Sequence, residues 1–152
     1  MTSIFNTTFE ISLRLLLTLE ASPREWLSAD RIAAIDFITV YSKDFGLADE
    51  NLHGENNYRY SEFSLRRELV KESLKSLVAR GLVHVQATTD GFVYALGKHG
   101  GEYCAELESG YATNYRDLAT AVKQFTENKP ERELLSLSLI NRYSLTSLQR
   151  SH

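Results

Sequence analysis

The chain has 152 residues, of which 43% are hydrophobic and 24% charged, and a formal net charge of −3. This is the size and composition of one ordinary globular domain, which excludes a chain disordered throughout. A single cysteine, Cys104, excludes an internal disulfide and a Cys-rich metal site.

Met1 to Asn6 lacks the basic segment that opens a signal peptide. No apolar run, Leu15-Leu16-Leu17 among them, comes near the length of a membrane span. A cytoplasmic protein with no membrane partner is expected. A free-standing DNA binder usually carries a basic surplus to neutralise phosphates. Here residues 1–50 hold 4 basic and 8 acidic side chains, and residues 101–152 hold 6 and 7. Only residues 51–100, with 7 basic and 5 acidic, lean positive. Any nucleic-acid contact belongs in that middle third.

Thr7 or Thr8 can cap a first helix. Its apolar residues, from Phe9 to Leu19, cover most of the circumference, and Glu10 and Arg14 read as its one polar stripe. Ser22-Pro23 ends it. Ser28 or Asp30 caps a second helix running to about Lys43, apolar except for a strip of Asp36, Thr39 and Lys43. It is expected to be the central helix, stopped at Asp44-Phe45-Gly46. A polar loop follows from Gly46 to Tyr60.

A third helix is expected from Ser61 or Ser64 to Arg80, closed by Gly81, with Leu65, Leu69, Val70, Leu74, Leu77 and Val78 as its apolar face. Leu82 to Val85 and Phe92 to Leu96 read as strands of a hairpin turned at Thr89-Asp90-Gly91. A fourth helix, interrupted near Gly110, runs to about Asn128 with Tyr111, Tyr115, Leu118, Val122 and Phe125 in a heptad-like seam. Beyond Lys129-Pro130, a last amphipathic helix runs from Glu131 to about Tyr143, followed by a polar tail.

The fold class expected is mainly α with one β-hairpin (α+β): a winged-helix-like domain over residues 1–128 and a C-terminal helical extension over residues 129–152. The third helix would stand at the recognition position and the hairpin would be the wing.

That order raises DNA binding first. Lys71, Lys75, Arg80 and Lys98 are the candidate DNA contacts. However, Lys71 and Lys75 share the solvent arc with Glu68 and Glu72, which cancel them, and the hairpin tip is not basic. Arg66 stands out because its wheel angle puts it within the apolar face. A guanidinium there costs several kcal/mol, on the order of 3–5, unless paired. An ion pair with Asp36 or Asp44, with Glu62 as a further link, is expected to clamp the third helix on the second. The alternative is a charge held for a partner.

His53 lies in the loop, but the histidines lack the spacing of a helical HExxH metal site, and no nucleophile elbow or phosphate loop occurs. Catalytic residues, metal ligands and cofactors are therefore expected to be none. Cys104, flanked by Glu102 and Glu106, reads as unreactive. The last helix, with Leu134, Leu137 and Ile140, either folds back on the domain or packs on a partner or a second copy; both readings stay open here.

An ordered set of residues points to a family. Phe5-Asn6-Thr7, Glu10, Leu13-Arg14, Asp30-Arg31-Ile32, Ile35-Asp36-Phe37, Asn51-Leu52-His53, Tyr58 and Ser61-Glu62 belong to it. Leu65-Arg66-Arg67-Glu68-Leu69, Leu77 to Val83 and Gly91-Phe92-Val93-Tyr94 continue it. Together they resemble the middle component of the ABC-three-component systems over about residues 5–125. The resemblance implies a bacterial conflict system directed at phage or plasmid DNA. An SMC-like ABC ATPase would carry the nucleotide chemistry, a separate effector such as a nuclease would do the damage, and a small non-catalytic adaptor would stand between them. Lamassu-type defence complexes are similar in organisation, and this chain would be their small accessory subunit. The family brings no catalytic residues, so Asn51 and His53 join Leu134, Leu137 and Ile140 as candidate partner contacts. The alternative reading is a winged-helix transcription regulator.

Overall fold

The computed structural model describes residues 7–53 and 59–139. Among these, six α-helices and three strands follow in the order α1 (Thr8–Glu20), β1 (Leu27–Ser28), α2 (Ala29–Val40), α3 (Arg59–Ala79), β2 (Val83–Thr88), β3 (Gly91–Leu96), α4 (Lys98–Ala105), α5 (Gly110–Thr126) and α6 (Glu131–Leu139). The chain is mainly helical with a small antiparallel sheet, the α+β class expected of it.

Local chemistry sets the helix ends. The Thr7 hydroxyl accepts from the Glu10 N–H at 3.2 Å, Ser28 from Arg31 at 3.1 Å and Ser109 from Ala112 at 3.1 Å. α2 stops at Val40 rather than near Lys43, because Tyr41 leaves helical geometry (φ −110°, ψ 40°) and the chain tightens into a 3-10 turn over Ser42–Phe45. α3 starts at Arg59, earlier than its serines suggested, and ends in a paired closure. The Gly81 N–H donates to Val78 and the Leu82 N–H to Leu77, each at 3.0 Å, with Gly81 at φ +75° where a side chain would be strained. The expected break near Gly110 is real: α4 and α5 are separate helices.

The hairpin β2–β3 pairs Val83 with Leu96 through Thr88 with Gly91. A strand that sequence reading missed, β1, pairs Leu27 with Tyr94 and Ser28 with Val93, so the sheet order is β1-β3-β2. Two residues are too few for a periodicity signal.

The core is built from α1, α2, α3 and α5. Ile11, Leu15, Leu16 and Leu19 of α1 meet Ile32, Phe37 and Ile38 of α2, with Phe63, Val70, Leu74 and Leu77 of α3 and Tyr115, Ala119 and Val122 of α5. Leu65 is a correction: it is exposed, and Phe63 takes the buried place. The inward stripe of α3 is therefore Phe63, Arg66, Val70, Leu74 and Leu77, which includes the anomalous arginine.

α6 closes back on this core. Leu134 is fully buried in the same cluster, the Ser28 hydroxyl bonds the Glu131 carboxylate, and Arg31 donates to the carbonyls of Thr126 at 2.8 Å and Lys129 at 2.9 Å. Thr126 ends α5 and Lys129 lies in the turn after it, so one guanidinium caps that helix and ties it to the start of α2.

Candidate functional site

The polar residues at the centre of the molecule come from four helices. α1 contributes Arg14 and Thr18, α2 contributes Asp36, α3 contributes Glu62 and Arg66, and α5 contributes Tyr115. Arg14, Asp36 and Arg66 are all within 1% of complete burial. Asp36 Oδ1 accepts from Arg14 Nε at 2.9 Å and from the Tyr115 hydroxyl at 2.6 Å. Its Oδ2 accepts from Arg66 Nη1 at 2.9 Å and Arg14 Nη2 at 3.3 Å. Because the single Tyr115 proton goes to Asp36, the Thr18 hydroxyl is the donor in its 2.8 Å bond to Tyr115. Arg66 Nη2 reaches Glu62 at 2.6 Å, and Tyr41 donates to the other Glu62 oxygen at 2.7 Å. Among the described residues, the two guanidiniums thus face two carboxylates, Asp36 and Glu62.

Burial alone raises the pKa of Asp36; the charges of Arg14 and Arg66, with hydrogen bonds from Arg14 and Tyr115, reverse this and hold it well below the usual carboxylate range. Burial likewise opposes the charge on Arg14, and Asp36 overcomes it, leaving its pKa raised. Burial, then the charge of Asp36, pushes the Tyr115 hydroxyl far up, so it is a permanent donor.

Of the residues singled out by sequence, Arg66, Asp36 and Glu62 are brought together. Asp44 is elsewhere: Asn51 Nδ2 donates to it at 3.3 Å, while Asn51 Oδ1 accepts the Lys43 N–H at 3.0 Å, which fastens the loop to the end of α2. Sequence reading missed Arg14, which it paired with Glu10 on the surface. The available signal was that Arg14 and Asp36 are among the few charges on two otherwise apolar helices.

His53 bonds the Tyr111 hydroxyl and stacks on that ring, which in turn stacks on Tyr115. Burial first, then the nearby positive charge of Arg14, lowers its pKa to about 3. An imidazole so hard to protonate is poorly matched to general acid or base work near neutrality. Burial, with Glu20 adding to it, pushes the Cys104 thiol up to about 12, which removes it as a nucleophile. Among the described residues no three His, Cys, Asp or Glu side chains are placed to hold a metal ion. No described helix is long and apolar enough to cross a membrane.

Beside this centre, an open cleft of about 370 Å³ lies between the loop and α5, lined by Glu50, Asn51, Leu52, Asn114, Asp117 and Leu118. Its two carboxylates, Glu50 and Asp117, are exposed, and its floor is the internally bonded Asn51.

The other candidates lie on the surface or are turned inward. Lys71 is exposed and pairs with Glu68 at 3.6 Å; Lys75, Arg80 and Lys98 are exposed. Arg67 is held between α3 and α2 by Asp30, at 2.9 and 3.1 Å. Leu134, expected as a partner contact, is a correction: it is used up by the fold-back of α6, because that is where its apolar surface escapes water. Leu137 is half-buried, and Ile140 lies outside the described residues.

A search of curated proteins finds no match, and a search of solved structures finds none either. A family model does match, over residues 4–150: the ABC-three component (ABC-3C) system Middle Component 2. The match extends the earlier resemblance through α6, and the chain therefore belongs to the Middle Component 2 family of ABC-three-component systems.

Proposed function

We propose that this chain is a non-catalytic adaptor that docks on an SMC-like ABC ATPase and links it to an effector, such as a nuclease, in bacterial defence against phage or plasmids. The observation that carries the reading is the family match over residues 4–150, since a middle component works with partner proteins. The internal chemistry supports it. The buried charges are matched to each other, His53 is held neutral, and Cys104 is closed off. The polar groups of the interior are arranged to fix helices, not to meet a substrate. The cytoplasm, where such an ATPase works, is the proposed location.

The domain itself is proposed to be a winged helix. In support, α1, β1, α2, α3 and the β2–β3 hairpin follow in that order, and β3 lies between β1 and β2. The same topology favours the second reading, a DNA-binding regulator with α3 in a major groove. Charge speaks against it: Arg66 is buried, Arg67 is paired with Asp30, Lys71 is matched by Glu68, and the exposed Lys75, Arg80 and Lys98 remain for weak contact with DNA held by the ATPase.

The test is capture of the tagged chain co-expressed with its ATPase, alongside a salt titration of duplex binding by the chain alone. The adaptor reading expects retention of the ATPase and only weak, sequence-indifferent binding to DNA. Sequence-selective DNA binding with a steep salt slope, and no ATPase retained, would establish the regulator instead. Truncation at Pro130 is a poor variant because it removes the buried Leu134; Leu137→Asp and Leu139→Asp probe the outer side of α6 with that anchor left in place.

A further inference from the structure

The cleft between the loop and α5 has walls that are already fixed. The loop wall is tied to the end of α2. The Leu52 N–H donates to the Val40 carbonyl at 3.0 Å, and Asn51 Oδ1 accepts the Lys43 N–H at 3.0 Å. The other wall is one face of α5, where Asn114, Asp117 and Leu118 follow at helical spacing. A segment that enters a pre-set cleft loses less affinity to ordering it.

The lining shows what fits there. Leu52 and Leu118 are half-buried and offer apolar surface from both walls. Glu50 and Asp117 are exposed carboxylates, one from each wall, and neither makes an ion pair among the described residues. No cation lines the cleft, and Arg116, next to Asp117 in sequence, bonds Glu20 instead at 2.8 Å. Asn51, only 8% exposed, carries two amide hydrogens on Nδ2. One goes to Asp44 at 3.3 Å, and no described residue accepts the other.

We propose that this cleft takes an extended segment of a partner protein that carries an arginine or lysine. This rests on the adaptor reading, under which that partner is the ATPase or the effector. The basic head group stands between Glu50 and Asp117, and its aliphatic stem lies on Leu52 and Leu118. The backbone of the segment supplies a carbonyl for the unmet Asn51 hydrogen and further bonds for the Asn114 amide. Charge excludes other occupants. Nucleic acid and acidic peptides would meet two carboxylates and no cation. A metal ion lacks ligands, since no three His, Cys, Asp or Glu side chains come together among the described residues. At about 370 Å³ the cleft is at the small end of ligand sites, roughly 300–1,000 Å³, which suits one or two side chains and the backbone between them.

Capture of the full chain co-expressed with ATPase and effector tests this, with a peptide array as the second measurement. The wild type is expected to retain both proteins. Glu50→Lys combined with Asp117→Lys is expected to lower retention of one of them roughly tenfold or more, with melting unchanged because both side chains are exposed. Asn114→Trp, which narrows the cleft without changing its charge, should lower the same partner. Glu72→Lys, an exposed charge reversal on α3, should lower neither. Short overlapping peptides that cover the ATPase and the effector are then probed with the full chain. The peptides it binds are expected to contain an arginine or lysine whose change to glutamine weakens binding roughly fivefold or more. Retention of both proteins by the double lysine variant overturns the cleft and leaves the adaptor reading standing. A wild type that retains neither protein overturns both. Bound peptides that are indifferent to their basic residues also overturn the proposal. So does a wild-type dimer that the double lysine variant dissociates, which would give the cleft to a second copy.

Discussion

Arg14 and Arg66 reach one carboxylate from different helices. Each places a nitrogen 2.9 Å from an oxygen of Asp36, and all three side chains are buried. The arrangement joins α1, α2 and α3 through a single residue, and Tyr115 adds α5. Removing one member of such a cluster leaves the others charged and without water.

Asp36→Asn keeps the shape of the side chain and removes its charge. Arg14 and Arg66 would then both lose the carboxylate they share, and a cost of about 3–5 kcal/mol is expected. Urea denaturation measures it. Arg66→Ala should fall in the same range, and a melting temperature equal to that of wild type would show that the pair clamps nothing.

Tyr115→Phe removes the hydroxyl that links Thr18 to Asp36 and leaves the ring in the core. A hydrogen bond to a charged group contributes about 1.5–3 kcal/mol, so a loss in that range is expected. Thr18→Val in the Tyr115→Phe background should then cost little more, which a double-mutant cycle reads directly.

Acid should unfold the protein in two limbs. In the unfolded chain the His53 imidazole takes up a proton below about pH 6.5. The folded chain refuses it until about 3. That contribution to stability is complete above pH 6.5 and is lost progressively as pH falls towards 3. Asp36 is held below the ordinary range by Arg14 and Arg66 against its burial, so its contribution is complete above its unfolded pKa of about 3.9 and drains at lower pH. His53→Asn should flatten the limb between pH 6.5 and 4 and leave the acid limb in place. The same slope in both proteins, from denaturant midpoints at each pH, would contradict this.

Gly100 tests the packing of α4 on the hairpin. A Cβ there would clash with the Leu82 carbonyl oxygen and stand 2.7 Å from the Leu96 side chain. Gly100→Ala is expected to cost about 1–3 kcal/mol. Gly110, at the start of α5, has open space around it, and Gly110→Ala should be neutral or stabilising by about 0.4–1 kcal/mol. Paired thermal melts compare the two.

Elements whose signals are local were readable from the residues: the Asp90-Gly91 turn, the Gly81 closure of α3, and the caps at Thr7 and Ser28. The anomaly of Arg66 was readable too, because a cation on an apolar stripe demands a partner. What hid the rest was three-dimensional. Arg14 has a plausible surface mate in Glu10, and nothing along the chain says that α1 turns that side inward to α2. β1 is too short for a pattern and exists only through β3. The fold-back of α6 depends on Ser28, Arg31 and the far end of α5, about a hundred positions apart in sequence.

The central claim is that this middle component bridges two proteins. Gel filtration of purified ATPase and effector, with and without this chain, tests it most directly. Co-elution of ATPase with effector only when the chain is present is the result expected. Equal co-elution in its absence would contradict the adaptor role.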